Sequence, residues 1–205
     1  MENKLIAFTF DDGPSVTTPS VLDILEKYNV TGTFFLVGEN INDQTAEIVK
    51  RAFSIGCEIE NHSYSHSDMS KMSNDEISRE IDLTSRKIFD ITGTAPRFFR
   101  PPYIALSDNL YEQVKLTFIC GKGVDDWDER VSVSQRIDGI LSFAEDGVIA
   151  LLHDMEGNDA TVKTLEEVIP VLLDRGFELV TVSQLFERKR IEPNVNEKII
   201  YSIVN

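Results

Sequence analysis

The sequence predicts an α/β domain built on a parallel sheet, and three observations carry that prediction. Short apolar runs alternate with amphipathic helical patterns from one end of the chain to the other, as βαβ units do. Residues of chemical character (Asp11-Asp12, His62, Arg100 and His153) fall at or just after the ends of the predicted strands. The 205 residues, 41% hydrophobic and 27% charged, suit one domain spanning 1–205 with its own core. About seven such units close, imperfectly, into a barrel of the TIM type, and an open doubly wound sheet shares the same pattern.

The first strand is the apolar run 5–10, ending in Asp11-Asp12-Gly13-Pro14. Residues 17–28 follow as a helix with Val21, Leu22, Ile24 and Leu25 on its inner face. A strand over 33–37, a helix over 44–53 closed by Gly56 and a strand over 57–61 come next. Ser73-Asn74-Asp75-Glu76 reads as a capping box that opens a long helix to about Ile91, closed by Gly93. A strand over 97–100 is halted by Pro101-Pro102. Further strands are expected over 116–124, 148–152 and 177–181, with helices over 132–145, 161–175 and 183–189. The tail after Arg190 stands outside the alternation and reads as an added strand or an ordered extension.

A formal charge of −15 argues against nucleic acid or an anionic membrane surface and favours a neutral or cationic substrate. No apolar run is long enough to span a bilayer. Met1-Glu2-Asn3-Lys4-Leu5 lacks the charged-then-apolar pattern of a secretory leader. A cytoplasmic protein is expected if Met1 is the native start, and an extracellular or cell-envelope one if a leader has been removed. Cys57 and Cys120 sit in runs read as strands and are expected to be buried free thiols in a monomeric protein.

The chemistry concentrates in a few segments. His62-Ser63-Tyr64-Ser65-His66 holds two imidazoles at i, i+4, which a helical turn would bring to one side within reach of a single ion. A carboxylate is needed as third ligand, and Asp11-Asp12 offers two, although Asp-Gly pairs are also ordinary turn formers. Two histidines and one carboxylate leave open positions on a metal, as a hydrolytic site requires. Arg100-Pro101-Pro102-Tyr103 places a cation at a strand end, or simply makes a surface turn. Trp127, the only tryptophan, can stack on a sugar or belong to a core, and His153 can be catalytic or a satisfied structural histidine.

Thr9-Phe10-Asp11-Asp12-Gly13-Pro14, His62-Ser63-Tyr64-Ser65-His66, Arg100-Pro101-Pro102-Tyr103, Asp126-Trp127 and Leu151-Leu152-His153 stand in the order of five motifs. Over about residues 5–187 the chain thereby resembles the polysaccharide deacetylase family, carbohydrate esterase family 4. The resemblance implies a distorted (β/α) barrel and one divalent metal ion, commonly zinc, with cobalt, nickel or manganese as alternatives. It implies Asp12, His62 and His66 as ligands, Asp11 as general base oriented by Arg100, and His153 as general acid oriented by Asp126. Tyr103 would help hold the oxyanion through its backbone N–H, and Trp127 and Leu151 would line the acetyl pocket. The activity so implied is hydrolysis of N-acetyl groups on a GlcNAc-containing polysaccharide or oligosaccharide, of chitin or peptidoglycan type. O-acetyl xylan esterase, small-molecule amide hydrolase and inactive carbohydrate-binding relative are the alternatives. Three departures bear on substrate preference: Ile104 where the family usually has Gly, Gly123 where it has an acid, and Cys57 and Glu60 where it has His and Gly.

Overall fold

Strand β1 (Lys4–Asp11) is buried along seven of its eight residues and organises the sheet. In the computed structural model, which describes residues 4–195 and 197–205, the elements that follow are α1 (Thr18–Tyr28), β2 (Thr33–Leu36), α2 (Ala46–Ser54), β3 (Glu58–Asn61) and α3 (Asn74–Thr92). Next come β4 (Phe98–Phe99), α4 (Asp108–Gln113), β5 (Thr117–Ile119), β6 (Lys122–Gly123), α5 (Val133–Phe143) and β7 (Val148–His153). The chain ends with α6 (Asp159–Asp174), β8 (Phe177–Leu179), α7 (Val182–Lys189) and β9 (Ile200–Tyr201). The leader expectation at Met1-Glu2-Asn3 lies outside the described residues.

The sheet is parallel and runs β6-β7-β1-β2-β3-β4-β5-β9, with β8 also on β1. One edge of β1 is shared: β8 pairs with Lys4–Ile6 and β2 with Thr9–Asp11. Because β5 and β6 are consecutive in the chain yet stand near opposite ends of this order, the sheet curls round on itself. The C-terminal tail completes the curl by pairing with β5 through β9 and bridging to Val148 through Ile203. The result is the expected distorted (β/α) barrel, and no helix among the described residues is long and apolar enough to cross a membrane.

Side-chain parity builds two apolar layers. In β1, Ile6, Phe8 and Phe10 join Val21, Leu22, Leu25, Phe34 and Leu165 in the layer between strands and helices. Leu5 and Ala7 alternate with them and meet Phe35, Phe98, Ile119, Ile149 and Phe186 inside the barrel. A parallel strand covered on both faces must be apolar on both parities, which is why residues 5–10 read as a continuous run. The long third helix has the capping box at Ser73 and Glu76 and ends on Gly93 at φ 71°.

Three expectations are corrected. The single strand over 116–124 is two short strands, because Gly121 at φ 135° bends the chain between β5, paired with β4, and β6, paired with β7. Cys120 therefore lies in the bend and is only half-buried, whereas Cys57 is buried as a free thiol immediately before β3. The histidine pair lies on an irregular loop after β3, with Ser63 and His66 in left-handed backbone at φ 65° and 54°, and not on a helical turn. Helix α4 adds to the expected elements, since its six residues are too few to establish a periodicity.

A Cβ on Gly121 would stand 2.8 Å from Leu151 Cβ and 3.2 Å from Ile149 O, both in β7. Gly121→Ala is expected to destabilise the protein by about 2–4 kcal/mol, from left-handed strain and overpacking together. Urea denaturation with an unchanged m value checks this.

Candidate metal centre and catalytic cleft

The parity that places Leu5 and Ala7 inside the barrel carries Asp11 to its mouth. On β7 the same parity, starting from Ile149, brings Leu151 and His153 to that mouth. Asp11 and His153 are register partners across β1 and β7, so the two side chains stand next to each other by strand pairing alone. Asp12, at φ 73°, leaves the strand alternation and also faces the cleft, which Asp tolerates better than most residues. Asn40 holds that turn by donating from Nδ2 to Asp12 O at 2.8 Å.

Asp12, His62 and His66 form a group whose ligand atoms all lie within 4.8 Å of one another. Asp12 Oδ1 is 3.5 Å from His62 Nε2 and 3.2 Å from His66 Nε2, yet it is a buried acceptor with no hydrogen-bond partner. Such an orphaned oxygen between two imidazole nitrogens fits a divalent cation. His62 Nδ1 lies 2.6 Å from Arg100 O; a carbonyl only accepts, so Nδ1 carries the proton and Nε2 is left as the ligand atom. Burial and the neighbouring His62 lower the pKa of His66 and favour its neutral form. Burial would raise the pKa of Asp12, but the neighbouring His62, with His66 and His153, outweighs it and holds the carboxyl low. These are the protonation states that metal ligands require.

Two ion pairs flank this group. Arg100, with no exposed surface, donates from Nη1 to Asp11 Oδ1 at 2.5 Å and from Nη2 to Cys120 O, and its guanidinium lies 4.2 Å over the Phe35 ring. Opposite, Asp126 receives His153 twice, the backbone N–H at Oδ2 (2.9 Å) and Nδ1–H at Oδ1 (2.8 Å). Burial would lower the pKa of His153, but Asp126, aided by Asp11 and Asp12, overrides it and raises the value to about 9. With Nδ1 engaged, Nε2 is the nitrogen available to the cleft.

The cleft holds about 620 Å³ and is lined by Asp11, Asp12, His62, His66, Asp126 and His153, together with Tyr103, Ile104, Trp127 and Leu151. Leu151 forms its floor from β7, while Trp127 and Tyr103 stand at the rim, 55% and 71% exposed. The Tyr103 ring packs edge-on against the His66 ring, centroids 4.8 Å apart. Tyr103 and Ile104 are both left-handed, at φ 57° and 51°, and the latter is a strained conformation for a β-branched residue. Of the other departures, Gly123 lines the cleft. Glu60 is buried and accepts the backbone N–H groups of Arg97 and Phe98. Burial, reinforced by Glu58, pushes its carboxyl well above the usual range.

Several supporting residues carry no signal in the sequence. Glu80 of α3 accepts the N–H groups of Tyr64 and Ser65 and so fixes the loop between the two histidines. Asn61 accepts Ser63 N–H and donates to Ile81 O. Thr161 and Asn158 hold Asp126.

A parallel barrel with a two-histidine, one-carboxylate group at its carboxyl end, flanked by an Asp–Arg and a His–Asp pair, has the arrangement that metal-dependent hydrolytic sites use. The polysaccharide deacetylase family profile matches residues 1–119, and the chain belongs to that family, carbohydrate esterase family 4. It is 51% identical over 196 residues to a bifunctional xylanase/deacetylase of Pseudobutyrivibrio xylanivorans, covering 96% of this chain and 33% of that one. Identity to a peptidoglycan-N-acetylglucosamine deacetylase of Listeria monocytogenes is 37% over 191 residues, covering 91% and 40%. The chain thus spans a third to two fifths of the length of these curated relatives. A family 4 acetyl xylan esterase from Clostridium thermocellum, solved with a cobalt ion, superposes with a TM-score of 0.95 at 42% identity, covering 98% of this chain and 99% of that one.

Replacing His62 or His66 with Ala, or Asp12 with Asn, is expected to lower zinc affinity by at least about 10-fold, while Asp11→Asn retains the ion. Calorimetric titration of the metal-free proteins with zinc distinguishes ligand from neighbour. The raised pKa of His153 also sets a pH signature. Stabilisation from the Asp126–His153 pair is complete below the ordinary value of 6.5 and is lost as pH rises through about 9. Melting temperatures across that range should fall more steeply in the wild type than in Asp126→Asn.

Proposed function

We propose that this chain is a catalytic domain that removes acetyl groups from a polysaccharide, with a divalent ion held by Asp12, His62 and His66. The observation carrying the proposal is the placement of that group between Asp11–Arg100 and His153–Asp126 in one cleft. When bound, a divalent ion supplies Lewis acidity, polarising the acyl carbonyl and acidifying water.

The chain's own residues do the rest. Asp11, its Oδ1 tied to Arg100, takes a proton from the attacking water. His153, oriented through Nδ1 by Asp126, gives a proton from Nε2 to the departing sugar oxygen or nitrogen as the bond to the acyl carbon breaks. Leu151 and Trp127, which line the cleft, enclose the acetyl methyl, and Tyr103, also in that lining, holds the oxyanion through its backbone N–H as the family resemblance implies. Water is consumed, and acetate and a free sugar hydroxyl or amine are released.

The substrate favoured here is O-acetylated xylan. Identities of 51% and 42% to proteins named for xylan exceed the 37% to a peptidoglycan deacetylase. A charge of −15 also suits a neutral polymer better than the carboxylate-bearing peptidoglycan. The N-acetyl glycan first expected from the motifs is the second reading. It is supported by His153, whose pKa of about 9 keeps an acid available at neutral pH for an amine leaving group.

Acetate release from acetylxylan, chitooligosaccharides and peptidoglycan, with and without chelator, tests the proposal. The expected result is fastest release from acetylxylan, abolished by chelator and restored by zinc or cobalt. Faster release from an N-acetyl glycan would select the second reading, and chelator-resistant release would overturn the role of the metal. His153→Ala should slow release from N-acetylated sugars by about 10²–10⁴-fold. An aryl acetate, whose phenolate departs unaided, should lose far less, and equal losses on both would retire His153 as the acid.

A further inference from the structure

Besides Arg100, the largest fully buried side chain is Arg136, which the proposed mechanism does not use. It sits in the first turn of α5, 2% exposed, behind the Asp126 carboxylate. All four hydrogen bonds it makes among the described residues go to neutral acceptors. Nε reaches Val131 O at 3.0 Å and Nη2 reaches Asp128 O at 3.2 Å. Nη1 reaches Asn158 Oδ1 at 2.7 Å and Thr161 Oγ1 at 3.0 Å. A buried guanidinium is costly unless opposite charges compensate it; here one is the Asp128 carboxylate, which Arg136 helps hold low, and the other, Asp126, is one side chain removed.

A guanidinium has donors and no acceptor, so it fixes the direction of every hydrogen bond beyond it. Thr161 gives a lone pair to Arg136 and must aim its proton elsewhere; it donates to Asp126 Oδ2 at 2.6 Å. Asn158 turns its Oδ1 to Arg136, so its Nδ2 faces His153 O at 2.8 Å and Asp126 Oδ2 at 3.4 Å. Asp126 Oδ2 is filled by these donors and the His153 N–H, leaving Oδ1 for His153 Nδ1–H. The two carbonyls that Arg136 holds belong to the loop immediately after Asp126 and Trp127.

Resting on the functional reading above, we infer that Arg136 is a positioning residue, which through Thr161 and Asn158 sets the orientation of the Asp126–His153 pair and of the loop bearing Trp127. Lysine cannot substitute for it, because one ammonium cannot span two carbonyls and two side chains lying in different directions.

The test compares kcat/KM on acetylated xylooligosaccharide and on 4-nitrophenyl acetate, using zinc-loaded wild type, Arg136→Met, Arg136→Lys, Thr161→Val, Asp126→Asn and Arg136→Met/Asp126→Asn. Arg136→Met and Arg136→Lys should lose about 10–100-fold on the sugar ester, carried mostly by kcat, and less than about 3-fold on the aryl ester. Thr161→Val, which keeps shape and charge, should show a smaller loss with the same selectivity, and it decides the matter if the arginine variants do not fold. Arg136→Met should add little to Asp126→Asn, since the two act as one unit. Equal losses on both esters, or additive losses in the double variant, would overturn the inference. If Asp126→Asn itself lacks the selective loss, the functional reading fails and the inference falls with it.

Discussion

The direction in which β1 faces governs the molecule. A strand buried on both sides has only two ways to point its side chains, and each residue's parity decides its neighbours. Ile6, Phe8 and Phe10 meet the helices, which leaves Leu5, Ala7, Thr9 and Asp11 for the barrel. A slip of one residue would bury the Asp11 carboxylate against helices and drive Phe10 into the cleft. An unpaired buried carboxylate costs several kcal/mol, roughly the stability margin of a domain, so the register is firmly specified. Pairing β7 in that register then sets His153 beside Asp11 without any loop having to place it.

Buried charge is the second constraint, and it links catalytic groups to barrel closure. Arg100 serves three neighbours at once. Its carbonyl accepts from the His62 ring, its Nη1 holds Asp11, and its Nη2 reaches Cys120 O at the β5–β6 bend. One residue thus ties a ligand, the proposed base and the point where the sheet curls round. The second linkage runs through Asp154, directly after the proposed acid. Its N–H donates to Asp11 O, its carbonyl accepts from Ser15, and its buried carboxyl accepts from Thr18. Burial raises that carboxyl to about 7, against the pull of the Thr18 hydrogen bond.

Much of this was legible in the sequence for definite reasons. Strand–helix alternation and apolar parity are local signals, so the elements from β1 to α3 fell within a few residues of their positions. The cleft groups were legible because a charged residue closing an apolar strand must reach water, a partner charge or a ligand, and a barrel mouth offers all three. What stayed hidden depends on contacts distant in the chain. Gly121 looked like an ordinary residue inside a β-run, since its conflict is with Leu151 on β7. The loop geometry at Ser63 and His66 is imposed by Glu80, one of many acids on the polar face of α3. Arg136, Asn158 and Thr161 lie on or beside two different helices, and nothing in their spacing announces that they converge on Asp126.

The three histidines show how surroundings divide the labour of a single residue type. His62 donates a hydrogen bond from Nδ1 to a backbone carbonyl, which carries no charge, and so presents Nε2 to the cleft. His66 has burial and another imidazole as its main influences, and both lower its pKa. His153 donates from Nδ1 to a carboxylate, and that charged partner raises its pKa to about 9 although burial opposes it. Partner charge, more than depth, therefore separates proposed ligands from proposed acid. The carboxylates follow the same logic in reverse. Asp11 and Asp126 each face a buried or protonatable cation, while Asp12 is left with an unfilled oxygen aimed at two bare nitrogens. A cation seated there would give Asp12 the compensation its neighbours already have, so the charge balance of the cleft fits the proposed metal.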